Sequence, residues 1–179
     1  MKALKMYDIQ FVGLKEGVHD FEFDIDQSFF DIFGYDEFNK ADVKAHIDLT
    51  KKPTLLELNF NVSGYVNVNC DLTNEPYNQD ISNTLDLVVK FGDEYNDEND
   101  EILIIPRGEY QINVAQLIYE LIVLGVPSKR IHPGVIDGSL QSDILKKLEE
   151  LSPKEKKNAS ENETIDPRWN TLKKLLTDK

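Results

Sequence analysis

Apolar and polar residues alternate through most of the first two thirds of the chain. Tyr7, Ile9 and Phe11 alternate with polar neighbours, and a loop from Gly13 to Gly17 follows. His19, Phe21, Phe23 and Ile25 then alternate again, which predicts a β-hairpin. Asp26 or Ser28 can cap a short helix carrying Phe29, Phe30, Ile32 and Phe33. Val43, Ala45, Ile47 and Leu49 mark the next strand. From Leu56 to Leu72 every even position is apolar or small, whereas most odd positions are polar. A tight turn at Ser63-Gly64 would put Val66 on the same face as Asn61 and scramble that alternation. One strand bending at Gly64 is expected instead. Straight, it would span about 56 Å at roughly 3.3 Å per residue, so strong curvature is expected.

Thr73-Asn74-Glu75-Pro76 reads as a turn, and Ile81, Leu85, Leu87, Val89 and Phe91 as another alternating strand. An acidic loop from Asp93 to Glu101 precedes a short apolar strand, Ile102 to Ile105. Asn113-Val114-Ala115-Gln116 has the form of a capping box, predicting a helix to about Leu124 that ends at Gly125. A second helix is expected near Ser142 to Leu151, carrying Ile144, Leu145 and Leu148. Ser152 to Glu163 offers little that could form a core and reads as a linker. Beyond it, Asp166 is a good N-cap and Pro167 suits the first helical position. Trp169, Leu172, Leu175 and Leu176 then fall within an arc of about 120°, and Arg168 lies inside the same arc.

These elements predict an α+β fold: a curved antiparallel β-sheet of about five or six strands with a few helices. The expected domains are a sheet domain over 1–151, a polar linker over 152–163, and a C-terminal amphipathic helix over 164–179. That helix must dock either on its own domain or on a partner. The same choice holds for Arg168, paired with a carboxylate of its own acidic domain or kept for a partner.

Charge changes the picture more than composition does. The chain has 179 residues and a formal net charge of −13. Residues 140–179 carry nine Lys/Arg against eight Asp/Glu, which leaves 11 basic against 25 acidic residues in the rest. A body this acidic repels a phosphate backbone, because nucleic-acid affinity comes largely from basic residues displacing counterions. It suits a basic protein partner, or simply solubility. The Met1–Asp8 segment has no apolar block of signal-peptide length, and no run approaches the roughly 18 apolar residues of a membrane span. Cys70 is the only cysteine, so no intramolecular disulfide and no all-cysteine metal site can form. A cytoplasmic location is expected.

Candidate chemistry is sparse. The acidic loop lacks the glycine and ligand spacing of an EF-hand and reads as solvated. His46 and Asp48 share the polar face of a strand, where an exposed pair is expected. His19 sits at the edge of an apolar face, and His132-Pro133-Gly134 places a histidine in a loop. Cys70 reads as a buried, inert thiol, with no His, Lys or Arg near in sequence to lower its pKa. Trp169 amid leucines is expected to pack against protein. No phosphate-binding glycine loop, nucleophile elbow or HExxH motif occurs.

Three segments, in order, resemble the YceD family of large ribosomal RNA subunit accumulation proteins. The long strand ends in Cys70-Asp71-Leu72-Thr73-Asn74-Glu75-Pro76, similar to the family's Cys-x-x-Cys-Leu-x-Pro neighbourhood. The helix from Ile112 runs into Leu124-Gly125-Val126-Pro127, similar to the family's ending of leucine, small residue, any residue and proline. The last and most specific is Asp166-Pro167-Arg168-Trp169 followed by Leu172 and Leu175. The resemblance covers roughly residues 55–177. Many members carry a second cysteine where Thr73 stands and others before the terminal motif, so a thiolate-rich zinc site cannot be built here. The resemblance implies a role in accumulation or maturation of large-subunit ribosomal RNA during ribosome assembly; with the sparse candidate chemistry, a non-enzymatic factor without a cofactor is expected. Together with the charge, the resemblance implies a basic ribosomal protein or assembly factor as partner, reaching the RNA indirectly, without membrane or DNA. A general acidic interaction module unconnected with ribosomes is the alternative, and a hydrolase or nuclease using His46, Asp48 or His132 the third reading.

Overall fold

The computed structural model describes residues 3–140 and 142–152. A 3₁₀ turn, Ala3–Tyr7, leads into β1 (Asp8–Gln10), β2 (Gly17–Asp26), α1 (Gln27–Phe33) and β3 (Lys40–Lys51). Then follow β4 (Leu55–Asn69), β5 (Pro76–Gly92), β6 (Asn96–Asn99), β7 (Ile102–Pro106) and β8 (Gln111–Asn113). Three helices follow: α2 (Ala115–Gly125), α3 (Pro133–Ile136) and α4 (Asp143–Leu151). Contacts divide the chain between Leu145 and Lys146, within α4. The expected linker and terminal helix, with Asp166, Pro167, Arg168, Trp169, Leu172 and Leu175, lie outside the described residues.

Six strands form one sheet in the order β2-β3-β4-β5-β7-β6. The long strands β2 to β5 make an antiparallel meander, as their unbroken alternation predicts. β7 inserts between β5 and β6 and runs parallel to β5, with Val88 opposite Ile102 and Gly92 opposite Pro106. The fold is therefore α+β with a mixed sheet. The parallel pair arises because the acidic stretch is not all loop: Asn96–Asn99 forms β6, antiparallel to β7.

β4 is one strand, with no hairpin at Ser63-Gly64. Gly64 pairs with Val43 on one side and Ile81 on the other, and neither register breaks there. Its φ of 150° is open to glycine but strained for other residues. The strand ends at Asn69, earlier than the alternation suggested. Cys70 and Leu72 therefore belong to the turn that joins β4 to β5.

The expected hairpin of β1 with β2 is not formed. β1 pairs with β8, Ile9 opposite Ile112, in a small second sheet. Layered over the sheet, Tyr7, Ile9 and Phe11 are almost fully buried. Tyr7 packs on Phe23 and Phe29, with ring centroids 5.4 and 5.0 Å away. The Lys51 ammonium donates to the carbonyls of Phe11 and Leu14, both at 2.9 Å, and so pins the connecting loop.

Helices α1 and α2 cover the same apolar face. Asp26 caps α1, its carboxylate accepting from the Ser28 backbone N–H at 3.0 Å. The capping box predicted for α2 is incomplete. Asn113 Oδ1 accepts from the Ala115 N–H at 3.1 Å, but the Gln116 amide donates forward to Glu120 instead of back. Ala115, Ile118, Leu121 and Ile122 of α2 face the sheet. The Asn83 amide donates to the Leu121 carbonyl and ties helix to β5. Phe33 stacks on Tyr119 at 4.5 Å, joining α1 to α2 through a cluster of rings.

Candidate interaction surface

The side chains at the centre of β2 to β5 that point away from this core lie in four cross-strand rows. They run Asp20–Asp48–Asn59–Asp86, Glu22–His46–Asn61–Thr84, Asp24–Lys44–Ser63–Ser82 and Asp26–Asp42–Tyr65–Asp80. These four rows hold eight carboxylates and one lysine, with Lys40 and Lys90 on the same side of the sheet nearer its ends. Strand alternation puts them there: each odd position that read as polar in β4 takes one side of the pleat. The four-strand width is what concentrates the charge.

Partial pairing leaves the face negative. His46 stands 3.2 Å from Asp48 and 3.6 Å from Glu22; Glu22 is well exposed, and His46 and Asp48 are half-buried. Lys44 reaches Asp24 only at 3.9 Å, with both side chains more than three quarters exposed. Such exposed pairs contribute at most about 1 kcal/mol. Asp20 opposite Asp48, and Asp26 opposite Asp42, are like-charge neighbours, which oppose folding unless a cation intervenes. At one end of the face asparagines replace the carboxylates. The Asn39 amide donates to Asn67 and Asn69, and the Asn67 amide to Asn78 at 2.7 Å.

A second constellation lies around the β4–β5 turn. The Cys70 N–H donates to the Glu75 carbonyl, the Asn74 N–H to the Cys70 carbonyl, and Asn74 takes φ 58°. The segment after α2 comes back to this turn. The Arg130 backbone N–H and Nε donate to Asp71, its Nη1 donates to Glu37 at 3.0 Å, and the Asp71 N–H donates to the Arg130 carbonyl. The hydrogen bond to Glu37, joined by the Asp71 charge, holds the Arg130 pKa above its ordinary value. The His132 N–H donates to Cys70 Sγ at 3.3 Å, and the His132 ring meets Tyr77 edge-on. A shallow polar cleft of about 480 Å³ opens beside Cys70, Asp71, Arg130 and Ile144.

Cys70 is buried, as its apolar-face position predicted, but its acidity differs from expectation. Burial pushes the thiol up. Hydrogen bonds from the Thr73 side chain and from the His132, Leu72 and Thr73 N–H groups outweigh that and bring its pKa below the usual value. Thr73, standing where the family's second cysteine would be, is itself buried. Sequence neighbours gave no hint of this because His132 arrives from 62 residues away. Leu72 and Pro76 are exposed at the turn, and Pro127 is exposed after α2. His132 is not free in its loop: Nδ1 accepts from the Gly134 N–H at 2.9 Å and caps α3. Arg130 and Glu37 escaped sequence reading; a cation 93 residues from its carboxylate carries no signal without the fold.

No helix among the described residues is long and apolar enough to cross a membrane, and no group of three metal-ligating side chains is found among them. Comparison with curated proteins and with solved structures finds no match to either. One family model does match, described as large ribosomal RNA subunit accumulation protein YceD, over residues 58–176. That span begins in β4, includes the Cys70 turn and the Arg130 segment that meets it, and extends through the terminal motif. The chain belongs to the YceD family.

Proposed function

We infer that this protein is a non-enzymatic factor for accumulation of large-subunit ribosomal RNA, acting by binding a basic ribosomal protein or assembly factor. Family membership supports the ribosomal role. The observation that carries the mode of action is the outward sheet face, which no described element covers and whose four central rows set eight carboxylates against one lysine. Its charge repels RNA phosphates and attracts a cationic protein surface, and opposite potentials raise association rates most at low salt. The partner then links this acidic body to the RNA.

Co-sedimentation and pull-down at moderate salt test this reading. Capture of a basic large-subunit protein or assembly factor is expected, weakened by the double variant Asp48→Asn/Asp86→Asn. Tight binding to bare ribosomal RNA with no ribosomal protein captured would overturn it. In cells, depletion should lower large-subunit relative to small-subunit RNA; an unchanged ratio would remove the ribosomal role.

A further inference from the structure

Resting on that reading of a basic partner, we propose that the partner docks as an added β-strand on the free edge of β2, through an extended segment alternating basic and apolar residues. β2 is the outermost strand on its side of the sheet, and it pairs with β3 over ten consecutive residues without a register shift. Among the described residues, its other edge makes no backbone hydrogen bond. A free edge of this kind is a template for strand addition.

The two edges of the sheet differ. β6, at the far side, has four residues and an irregular register, and so offers little to pair with. β2 has ten residues and none of the usual guards: Gly17–Asp26 contains no proline, no lysine and no bulge. What it has instead is charge of one sign. Asp20, Glu22 and Asp24 project to the open face, while His19, Phe21 and Phe23 are half-buried on the other side. A second copy of this chain presenting its own β2 would oppose acid to acid, so self-pairing is disfavoured. A strand with Lys or Arg at alternate positions would place each cation about 5 Å from a carboxylate and its apolar residues beside Phe21 and Phe23. Asp20 faces Asp48 on β3 and has no ion-pair partner among the described residues, so a cation there would relieve an existing repulsion.

The test uses the full-length protein and three soluble ten-residue peptides. One alternates Lys with Val and Thr, the second has the same composition with the lysines clustered, and the third repeats the first with alternate backbone nitrogens methylated. Binding is followed by NMR with amide hydrogen exchange. The alternating peptide should bind and slow exchange of β2 edge amides. The methylated form, unable to complete the ladder, should bind about tenfold more weakly or worse. Equal binding of all three without protection of β2 would overturn strand addition, yet leave the acidic face as a general cation-binding surface. No binding of any peptide would also overturn strand addition, while pull-down of a folded basic protein could still succeed. If Asp20→Asn/Glu22→Gln leaves binding of the alternating peptide unchanged, the proposed charge readout fails.

Discussion

Gly64→Ala should be among the most damaging single-methyl additions available to this protein. Gly64 lies mid-strand in β4 at φ +150°, between β3 and β5. A Cβ built there comes within 2.3 Å of the Asp42 carbonyl oxygen and 2.8 Å of Val43 Cα, where ordinary contact starts at 3.4 Å. Both neighbours are main-chain atoms in a hydrogen-bonded strand, so no flexible side chain can give way. Either β3 retreats by about 1 Å or the substituted residue changes φ and breaks the ladder. A non-glycine residue in this backbone region costs about 1–3 kcal/mol. Overpacking against the β3 backbone costs about 1–3 kcal/mol more. The expected loss is thus about 2–6 kcal/mol from a domain total of about 5–15 kcal/mol. Urea unfolding monitored by circular dichroism should show a lower midpoint with an unchanged slope, and failure to fold marks the upper end of the range. Gly13→Ala is the control: nothing lies within 4 Å of its built Cβ, and it should stay within about 0.5 kcal/mol of wild type. A Gly64→Ala protein as stable as that control would refute the close approach of β3 and β4.

Arg130→Ala should cost only about 1 kcal/mol, because Arg130 and Glu37 are 28% and 55% exposed and water screens the pair. A double-mutant cycle with Glu37→Ala in low and high salt checks this, and a coupling that salt does not weaken would count against it. Asn113→Ala should cost about 1–2 kcal/mol, since the side chain accepts from the first N–H of α2 and also donates to the Leu4 carbonyl and to Asp8. Thermal unfolding measures that loss, and hydrogen exchange near Asp8–Gln10 should quicken. Cys70 adds a pH dependence. Its folded pKa lies below the ordinary thiol value of 9.0, so the fold favours the thiolate. That increment is complete above the ordinary value and disappears as pH falls through the folded one. The urea midpoint of wild type minus that of Cys70→Ala should therefore rise with pH, and a flat difference would sink the assignment.

Local alternation was enough to find the long strands, because each buries one face and a one-residue slip would expose it. It even separated one continuous strand from a hairpin at Gly64. Partners in space were harder. Tyr7, Ile9 and Phe11 read as a strand, but nothing local distinguishes β2 from β8 as its mate; the choice shows only in the fold, where Ile9 pairs opposite Ile112 and all three side chains enter the core. β6 escaped because Asn96–Asn99 has no apolar alternation and is held only by pairing with β7. At the Cys70 turn the motif was readable, whereas its acidity was not. The hydrogen-bond donor from His132 and the Asp71–Arg130–Glu37 links come together only when the chain after α2 returns. The acidic face was half visible: each strand displayed its polar positions, and only the register lined Asp20, Asp48 and Asp86 into one row.

The pairing of β1 with β8 also sets an order of events during synthesis. Asp8 must wait for Asn113 before its ladder can close. At about 5–20 residues per second, roughly 100 residues take about 5–20 s to emerge. The β2–β5 meander needs only neighbouring segments and can assemble within that interval. Until β8 and α2 arrive, Phe29 and Phe30 lack the cover of Tyr7 and of Tyr119, so the nascent chain carries a sticky aromatic patch for seconds. The N-terminal strand thus acts as a clasp that closes late, and its docking reports that the chain has been made as far as β8.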